Sequence, residues 1–149
     1  MHVVESLVVI AALDVQIRNM LQFLLEETPG FRALPVEGFE DVVERVKVER
    51  PALVLVDVEW PEPWSLETIR GLKSSPETAA IPVIALTAPE EACDEARRAG
   101  SDVCVIKPFD LDYLLGLVRA HANRSDAEGG ANGGAKTPPR TPRSPVVWF

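Results

Sequence analysis

The sequence predicts an α/β fold in which five parallel strands alternate with five helices. Up to about residue 121, short apolar runs alternate with amphipathic stretches, a pattern typical of βα units that build a parallel sheet. Three of the runs, LVVIAAL (7–13), ALVLVDV (52–58) and IPVIALT (81–87), are rich in branched aliphatic residues and alanine. Such runs indicate central strands that are buried on both faces, so we expect helices on both sides of the sheet.

The other elements follow from the same patterns. The run RALPVE (32–37) contains Pro35, which has no amide hydrogen for a ladder and is therefore expected at a sheet edge, and SDVCVIK (101–107) is the fifth strand. Each helix is predicted from apolar residues that recur every three or four positions. These residues are Ile17, Met20, Leu21, Leu24 and Leu25; Val42, Val43 and Val46; Leu66, Ile69 and Leu72; Ala92, Ala96 and Ala99; and Tyr113, Leu114, Leu117 and Val118. Gly100 is the expected C-cap glycine of the fourth helix.

Composition limits the classes of function. The 149 residues are 46% hydrophobic and carry a net charge of -8, which favours a soluble domain and disfavours a surface built for nucleic acid or anionic lipid. No run approaches the roughly 20 apolar residues of a membrane span, and no basic segment precedes residues 7–13 as in a signal peptide. The only cysteines, Cys93 and Cys104, lack CxxC spacing, so we expect neither a zinc site nor a disulfide framework. We therefore expect the protein to be in a reducing cytoplasm.

The C-terminal part has a different composition. Residues 125–149 are rich in Gly, Pro and Ser and are predicted to form a flexible tail beside a domain at 5–122, too short for a second domain. The tail ends in VVWF, which breaks the polar pattern. It either docks on an apolar groove or sheet edge or is an unanchored end, and the second interpretation is favoured.

Polar residues follow several of the predicted strands. Asp14 comes after the first strand, Asp57 after the third, Thr87 ends the fourth and Lys107 ends the fifth. Each alone has a structural explanation as a cap, a turn former or a solvated loop residue. Because parallel strands end at one edge of the sheet, a carboxylate, a hydroxyl and an ammonium group would converge there. That set of groups suits phosphoryl chemistry.

In combination these segments resemble the receiver domains of response regulators in two-component signalling. The resemblance spans about residues 5–122. Its matching segments are LVLVDVEWP around Asp57, IPVIALTA ending after Thr87, AGSDVCVIKPF through Lys107-Pro108-Phe109, and Ile17-Arg18. It implies a flavodoxin-like, doubly wound (βα)5 sheet with strand order 2-1-3-4-5 and a cis peptide bond before Pro108.

The resemblance also implies roles for the residues at the sheet edge. Asp57 would be the phosphoacceptor, served by a phosphohistidine on a sensor histidine kinase or phosphotransfer protein. Thr87 would be the switch hydroxyl and Lys107 the ion-pair partner of the phosphoryl site. Such a domain is a cytoplasmic signalling module rather than an enzyme, and it acts through a downstream protein that the sequence does not name. The face of helix 4, strand 5 and helix 5 (Arg97, Arg98, Tyr113) is the expected partner or homodimer surface.

Two positions depart from the family pattern. Receivers hold Mg²⁺ with a pair of acids at the end of strand 1, with the acceptor aspartate and with the main-chain carbonyl two residues after it. Here the pair falls on Ala12 and Leu13. The ligands that remain are Asp57 and the main-chain carbonyl of Glu59. The Glu59 side chain or Asp14 could supply a replacement carboxylate, although Asp14 is expected to cap the first helix. We therefore expect weak or absent Mg²⁺ binding. Cys104 replaces the aromatic switch residue and is expected to pack as a small buried hydrophobe.

Two functions stay open on these grounds. The first is an atypical receiver with weak or altered Mg²⁺-dependent phosphorylation at Asp57. The second is a phosphorylation-independent pseudo-receiver that acts as a protein–protein interaction module. Trp60 and Trp64, in the loop after Asp57, either form a partner patch or pack over that loop. A flavin binder would need a Ser/Thr/Gly-rich loop after strand 1, and a haloacid-dehalogenase-type phosphatase would have its nucleophile there, so both are disfavoured.

Overall fold

The computed structural model describes residues 5–37, 39, 41–88 and 90–128. Its elements are β1 (Ser6–Ala12), α1 (Val15–Glu26), β2 (Phe31–Glu37), α2 (Val42–Glu49), β3 (Leu53–Asp57), α3 (Trp64–Ser74), β4 (Val83–Thr87), α4 (Glu90–Ala99), β5 (Val103–Ile106) and α5 (Leu111–Glu128). The strands form one sheet in the order β2-β1-β3-β4-β5, and every neighbouring pair is parallel. The predicted fold class and strand order are confirmed.

Helices cover both faces of this sheet, as the nearly continuous apolar strands predicted. Alternate residues of β1 and β3 belong to two separate buried clusters because successive side chains in a strand point to opposite faces. One cluster joins Val9 and Val54 to the buried residues of α2, α3 and α4. The other joins Ile10 and Leu55 to those of α1 and α5. The central strands are therefore enclosed, and the polar residues that follow them project from the carboxyl edge of the sheet.

Strand β2 lies at the sheet edge, where Pro35 predicted it. It pairs only with β1, and Pro35 stands opposite Ile10 in that ladder. An edge position tolerates proline because one side of the strand makes no ladder hydrogen bonds. The observed strands are otherwise up to three residues shorter than the apolar runs, since the runs continue into the loops.

Helix α5 runs to Glu128, past residue 125, where the change in composition predicted the tail to begin. The segment SDAE carries no proline or glycine, so nothing in it stops the helix before the glycines that follow. The rest of the predicted tail, including VVWF, lies outside the described residues. Among the helices that the structure describes, none has the length and apolar character to cross a membrane.

Gly100 ends α4 in the way that its position predicted. Its φ is +113°, and its amide donates to the Arg97 carbonyl (2.9 Å) while the Ser101 amide donates to the Ala96 carbonyl (3.0 Å). These two bonds are the Schellman pattern, which satisfies the last carbonyls of a helix. A Cβ at Gly100 would also stand 2.9 Å from the Cγ atom of Lys73. Both the backbone conformation and the space therefore favour glycine.

We predict that Gly100→Ala lowers the free energy of unfolding by about 1 to 2 kcal/mol, because alanine must adopt a left-handed conformation. The matched control is Gly116→Ala, since Gly116 is exposed in α5 and an added Cβ meets nothing within 4 Å. This control should stabilise the domain by up to about 1 kcal/mol through helix propensity. Urea unfolding of both variants measures the difference, and equal effects would contradict this account of α4.

Candidate functional site

The carboxyl edge of the sheet brings the predicted residues together. Asp57 ends β3, Thr87 ends β4, and Lys107 directly follows β5. The register pairs Asp57 with Leu86 and Thr87 with Ile106, so the three strands end within about one residue of each other. Strand order reverses between β1 and β3, and ligands of open α/β sheets bind in the crevice at such a point.

Asp57 is the most deeply buried acid at this edge. Its side chain is 1% exposed, and its Oδ1 accepts a hydrogen bond from Lys107 Nζ. The other carboxylate oxygen, Oδ2, is buried and has no hydrogen-bond partner in the part of the chain that the structure describes. A buried polar atom without a partner costs free energy unless a ligand or an ion meets it. Asp57 therefore has one oxygen neutralised by a cation and one available for chemistry.

Lys107 is held in place by its own backbone. Its amide donates to the Thr87 carbonyl (2.6 Å), and the peptide bond to Pro108 is cis, as the resemblance implied. Its side chain is 26% exposed, so the ammonium group lies between Asp57 and solvent. This position lets one cation pair with the carboxylate and face an incoming anion.

Thr87 is fully buried, and its hydroxyl is directed to β5 rather than to Asp57. The Oγ1 atom lies 3.2 Å from the Sγ atom of Cys104, which stands beside Ala85 in the β4–β5 register. The structure thus brings Thr87 to the predicted edge in a conformation in which its hydroxyl contacts sulfur.

The end of β1 carries no acid that is free to join this group. Ala12 is fully buried, and the side chain of Leu13 is exposed. Asp14 caps α1, as predicted: its Oδ1 accepts from the amides of Gln16 (2.8 Å) and Ile17 (3.2 Å). Its carboxylate is therefore already used at the helix N-terminus.

A cation occupies the same end of β1. Arg18 Nη1 donates to the Ala12 carbonyl at 2.8 Å and lies 3.5 Å from the Leu13 carbonyl. In the sequence, Arg18 only helped to align the chain with the receiver family. Its hydrogen bond to the Ala12 carbonyl could not be predicted, because it depends on the conformation of a long side chain. The guanidinium adds positive charge next to positions 12 and 13.

Comparison with known proteins identifies this arrangement. The profile of the response regulator receiver domain family matches residues 8–119, most of the chain. The chain belongs to the response regulator receiver family. The receiver domain thus accounts for the fold, the buried aspartate at the end of β3 and the lysine after β5.

Relatives of known name agree with this assignment. Protein PilH of Pseudomonas aeruginosa is 32% identical over 96 residues, which cover 63% of this chain and 79% of PilH. The polar-differentiation response regulator DivK of Brucella anthropi is 28% identical over 99 residues, covering 65% of this chain and 80% of DivK. The phosphate regulon transcriptional regulatory protein PhoB of Escherichia coli is 32% identical over 113 residues. That alignment covers 74% of this chain and 49% of PhoB, so the chain spans about half the length of the PhoB proteins that it matches.

Solved structures share the fold. Chemotaxis protein CheY4 of Vibrio cholerae superposes with a TM-score of 0.68 at 19% identity over 78% of this chain and 98% of its own. The receiver domain of the sensor histidine kinase PA1611 from Pseudomonas aeruginosa gives a TM-score of 0.71 at 19% identity over 80% of this chain and 98% of its own, and it holds a magnesium ion in its active-site cleft. Receiver domains as a family bind Mg²⁺ at this edge.

Glu59 is the second carboxyl group of the receiver site. Its amide donates to the buried Ser65 Oγ at 3.1 Å, which holds the loop between β3 and α3. Burial first, and then the negative charge of Asp57, raise the pKa of the Glu59 carboxyl, while Lys107 opposes the shift. The two carboxyl groups therefore act on each other electrostatically, which the sequence alone could not establish.

The residues present fit a reduced magnesium site. Mg²⁺ keeps several waters and needs one or two carboxylates besides the oxygens of a phosphate. The partnerless Asp57 Oδ2 and the nearby Glu59 carboxyl can supply such donors. However, no group of three or more acidic, histidine or cysteine side chains within the described residues is arranged to hold a metal. This absence agrees with the sequence, because Ala12 and Leu13 stand where the family resemblance implies two acids.

The two cysteines contradict the prediction from the sequence. Cys93 of α4 and Cys104 of β5 form a disulfide with a Cα–Cα distance of 5.7 Å, and no free cysteine remains. Neither the expected absence of a disulfide nor the expected role of Cys104 as a small packing residue is correct. The prediction relied on spacing along the chain, whereas α4 packs directly on β5 and brings the two sulfurs together. The available signal was that Cys93 stands next to Ala92 of the predicted apolar stripe of α4, while Cys104 lies in the strand that follows α4.

The two tryptophans of the β3–α3 loop remain partly exposed. Trp60 is 36% and Trp64 is 44% exposed, and Trp64 begins α3. Leu13 is 43% exposed at the neighbouring loop. These exposed side chains belong to the two loops that follow β1 and β3 and to the start of α3, and they leave apolar surface that is accessible to a partner.

We predict that Lys107→Met lowers the free energy of unfolding by about 3 kcal/mol, because it leaves the buried Asp57 carboxylate without its cation. Adding Asp57→Asn to this variant should restore part of the loss, since the pair is then neutral. Lys47→Met is the matched control, because Lys47 pairs with Glu44 on the surface at 3.2 Å and should cost no more than about 1 kcal/mol. Urea unfolding of these three variants and of Asp57→Asn alone gives the four values, and simple additivity of the two site substitutions would contradict the coupling.

Proposed function

We propose that this domain is an atypical receiver in which Asp57 is the phosphoacceptor and its Mg²⁺-dependent phosphorylation is weak or altered. The observation that carries the proposal is the unequal state of the two Asp57 oxygens. Oδ1 is paired with Lys107, and Oδ2 is buried without a partner at the carboxyl edge of the sheet. A carboxylate in that state is positioned as a nucleophile.

The reaction would proceed by direct transfer from a phosphohistidine of a sensor histidine kinase or phosphotransfer protein. Asp57 Oδ2 forms the new bond to phosphorus while the phosphorus–nitrogen bond of the donor breaks. The electron pair of that bond leaves with the imidazole, which takes up a proton from solvent. Lys107 stays close to the transferred group and offsets its charge, and Thr87 turns its hydroxyl toward a phosphoryl oxygen.

The metal site would be weak. The Asp57 carboxylate and the Glu59 main-chain carbonyl would hold Mg²⁺, with the Glu59 carboxyl as the replacement acid. When bound, the ion supplies charge compensation for phosphate oxygens. Asp14 is the less suited acid because its carboxylate caps α1. Arg18 at the Ala12 carbonyl opposes a cation at the end of β1 and supplies positive charge of its own.

Signalling would use the face of α4, β5 and α5. Arg97 and Arg98 are exposed at the end of α4, and Tyr113 is half-buried in α5. This face is the proposed surface for a downstream protein or a second copy of the chain, by analogy with the family. A cytoplasmic location accompanies this proposal, because histidine kinases pass their phosphoryl groups to receivers there.

A second function is favoured by the apolar residues around the site. Exposed Leu13, Trp60 and Trp64 and the missing acidic pair also suit a pseudo-receiver that binds a partner without phosphorylation. The two functions differ in one property, since only the first requires a phosphoryl group to bind at Asp57.

Beryllofluoride, a stand-in for the phosphoryl group, separates the two functions. We expect a saturable change in the fluorescence of Trp60 and Trp64 when it is added with Mg²⁺, because Trp60 lies in the loop that follows Asp57 and Trp64 begins α3 directly after that loop. Trp148→Phe removes the signal of the third tryptophan, and Asp57→Asn serves as the control that should abolish the change. No response in the folded protein at high Mg²⁺ would favour the pseudo-receiver.

We predict that Leu13→Asp strengthens Mg²⁺ binding about tenfold, equivalent to about 1.4 kcal/mol, by restoring one acid of the family pair. The exposed side chain of Leu13 leaves room for the change. Val48→Asp adds the same charge at an exposed position on α2 and should have little effect. Calorimetric titration with Mg²⁺ measures the affinities. Equal affinities of the two variants would show that the loss at position 13 does not limit the metal site.

A further inference from the structure

The disulfide between Cys93 and Cys104 links two of the three elements of the proposed signalling face. Cys93 lies in the first half of α4, and Cys104 lies in the middle of β5. Cys93 is 5% exposed, whereas Cys104 is partly exposed. In compartments with abundant thiol reductants, disulfides are usually transient, catalytic or redox-sensing rather than permanent. A bond at this place in a receiver would therefore respond to the redox state of its surroundings.

Apart from the disulfide, the buried contacts of helix α4 are made by small side chains. Besides Cys93, its buried residues are Ala92, Ala96 and Ala99, while the other helices bury leucine, isoleucine or valine. Burial of apolar area stabilises packing in proportion to the area removed from water, so alanine contributes less than the larger side chains. The disulfide is therefore the one covalent link that adds to the small apolar contacts of α4 in the described structure.

The same disulfide reaches the proposed phosphoryl site through Thr87. Thr87 Oγ1 lies 3.2 Å from Cys104 Sγ. A disulfide sulfur carries no hydrogen, so in this state the threonine hydroxyl must be the donor and its hydrogen is directed at sulfur. After reduction, Cys104 has an S–H group that can donate to Oγ1. The hydroxyl hydrogen of Thr87 is then free to point toward Asp57.

We propose that Cys93–Cys104 is a reversible redox modification site, opened by a dithiol reductant, that controls the order of α4 and the direction of the Thr87 hydroxyl. A thiolate of the reductant attacks Cys104 Sγ, the more exposed sulfur, and forms a mixed disulfide as Cys93 leaves as a thiolate. The second thiol of the reductant then displaces Cys104. Both cysteine thiolates take up protons, and the two electrons come from the reductant, which becomes a disulfide. The effect on Thr87 rests on the function proposed above, whereas the effect on α4 does not.

The test uses the full chain with dithiothreitol as the dithiol. Alkylation with iodoacetamide followed by intact mass should find no free thiol before reduction and two after it, with the domain still folded. Amide exchange should then increase at least about tenfold more in α4 than in α1, and an oxidant should reverse this increase. The melting temperature should fall by on the order of 10 °C. Free thiols before reduction in a sample purified without reductant, or unchanged exchange in α4 after it, would overturn the proposal.

Variants separate the disulfide from side effects of the reductant. Cys93→Ser should show rapid exchange in α4 with or without dithiothreitol. The exchange rates of α4 in the reduced wild type should equal those in Cys93→Ser. If Cys93→Ser does not fold, the comparison of oxidised with reduced wild type still tests the proposal. A response of Cys93→Ser to dithiothreitol as large as that of the wild type would contradict the assignment to this disulfide.

The coupling to Thr87 has its own readout. Beryllofluoride should bind more tightly to the reduced protein than to the oxidised protein, because only the reduced form frees the Thr87 hydroxyl. Equal affinity in both forms would overturn the coupling. Failure to bind in either form would overturn the proposed function instead, and amide exchange in α4 would still decide the redox site.

Discussion

The ion pair between Asp57 and Lys107 is the interaction on which the site depends. It joins the end of β3 to the residue after β5, across the intervening strand β4. The Asp57 side chain is 1% exposed, and a buried charge costs free energy unless a cation pairs with it. The pair engages only one oxygen of Asp57, so Oδ2 keeps its full capacity as an acceptor or nucleophile. The same contact therefore stabilises the fold and, under the proposed function, leaves the nucleophilic oxygen free.

The end of β1 makes this receiver different from the family pattern. Where the pattern has two acids, the chain has a buried alanine and an exposed leucine, with the Arg18 guanidinium on their carbonyls. Asp14 cannot easily replace the lost acids without giving up two cap hydrogen bonds. Glu59 remains the acid nearest in effect to Asp57, and its raised pKa results from burial and from that proximity. The Arg18 guanidinium thus places a fixed positive charge beside the positions where the family pattern has two acids.

Most of the fold and part of the site could be predicted from the sequence. Asp57, Thr87 and Lys107 were predictable because each stands at the end of an apolar run and parallel strands end together. Asp14 was predictable as a cap because the apolar stripe of α1 begins just after it. The contact of Arg18 and the closeness of Glu59 to Asp57 depend on side-chain directions in loops, which periodicity does not encode. The disulfide was missed because spacing along the chain says little about two residues on adjacent packed elements.

Intact mass after incubation with a small phosphoryl donor such as acetyl phosphate tests the central claim most directly. The account predicts that the wild-type domain gains a single phosphoryl group in the presence of Mg²⁺, that Asp57→Asn gains none, and that Lys107→Met gains it more slowly. A wild-type domain that stays unmodified at saturating Mg²⁺, or an Asp57→Asn variant modified as fully as the wild type, would contradict the assignment of Asp57 as the phosphoacceptor.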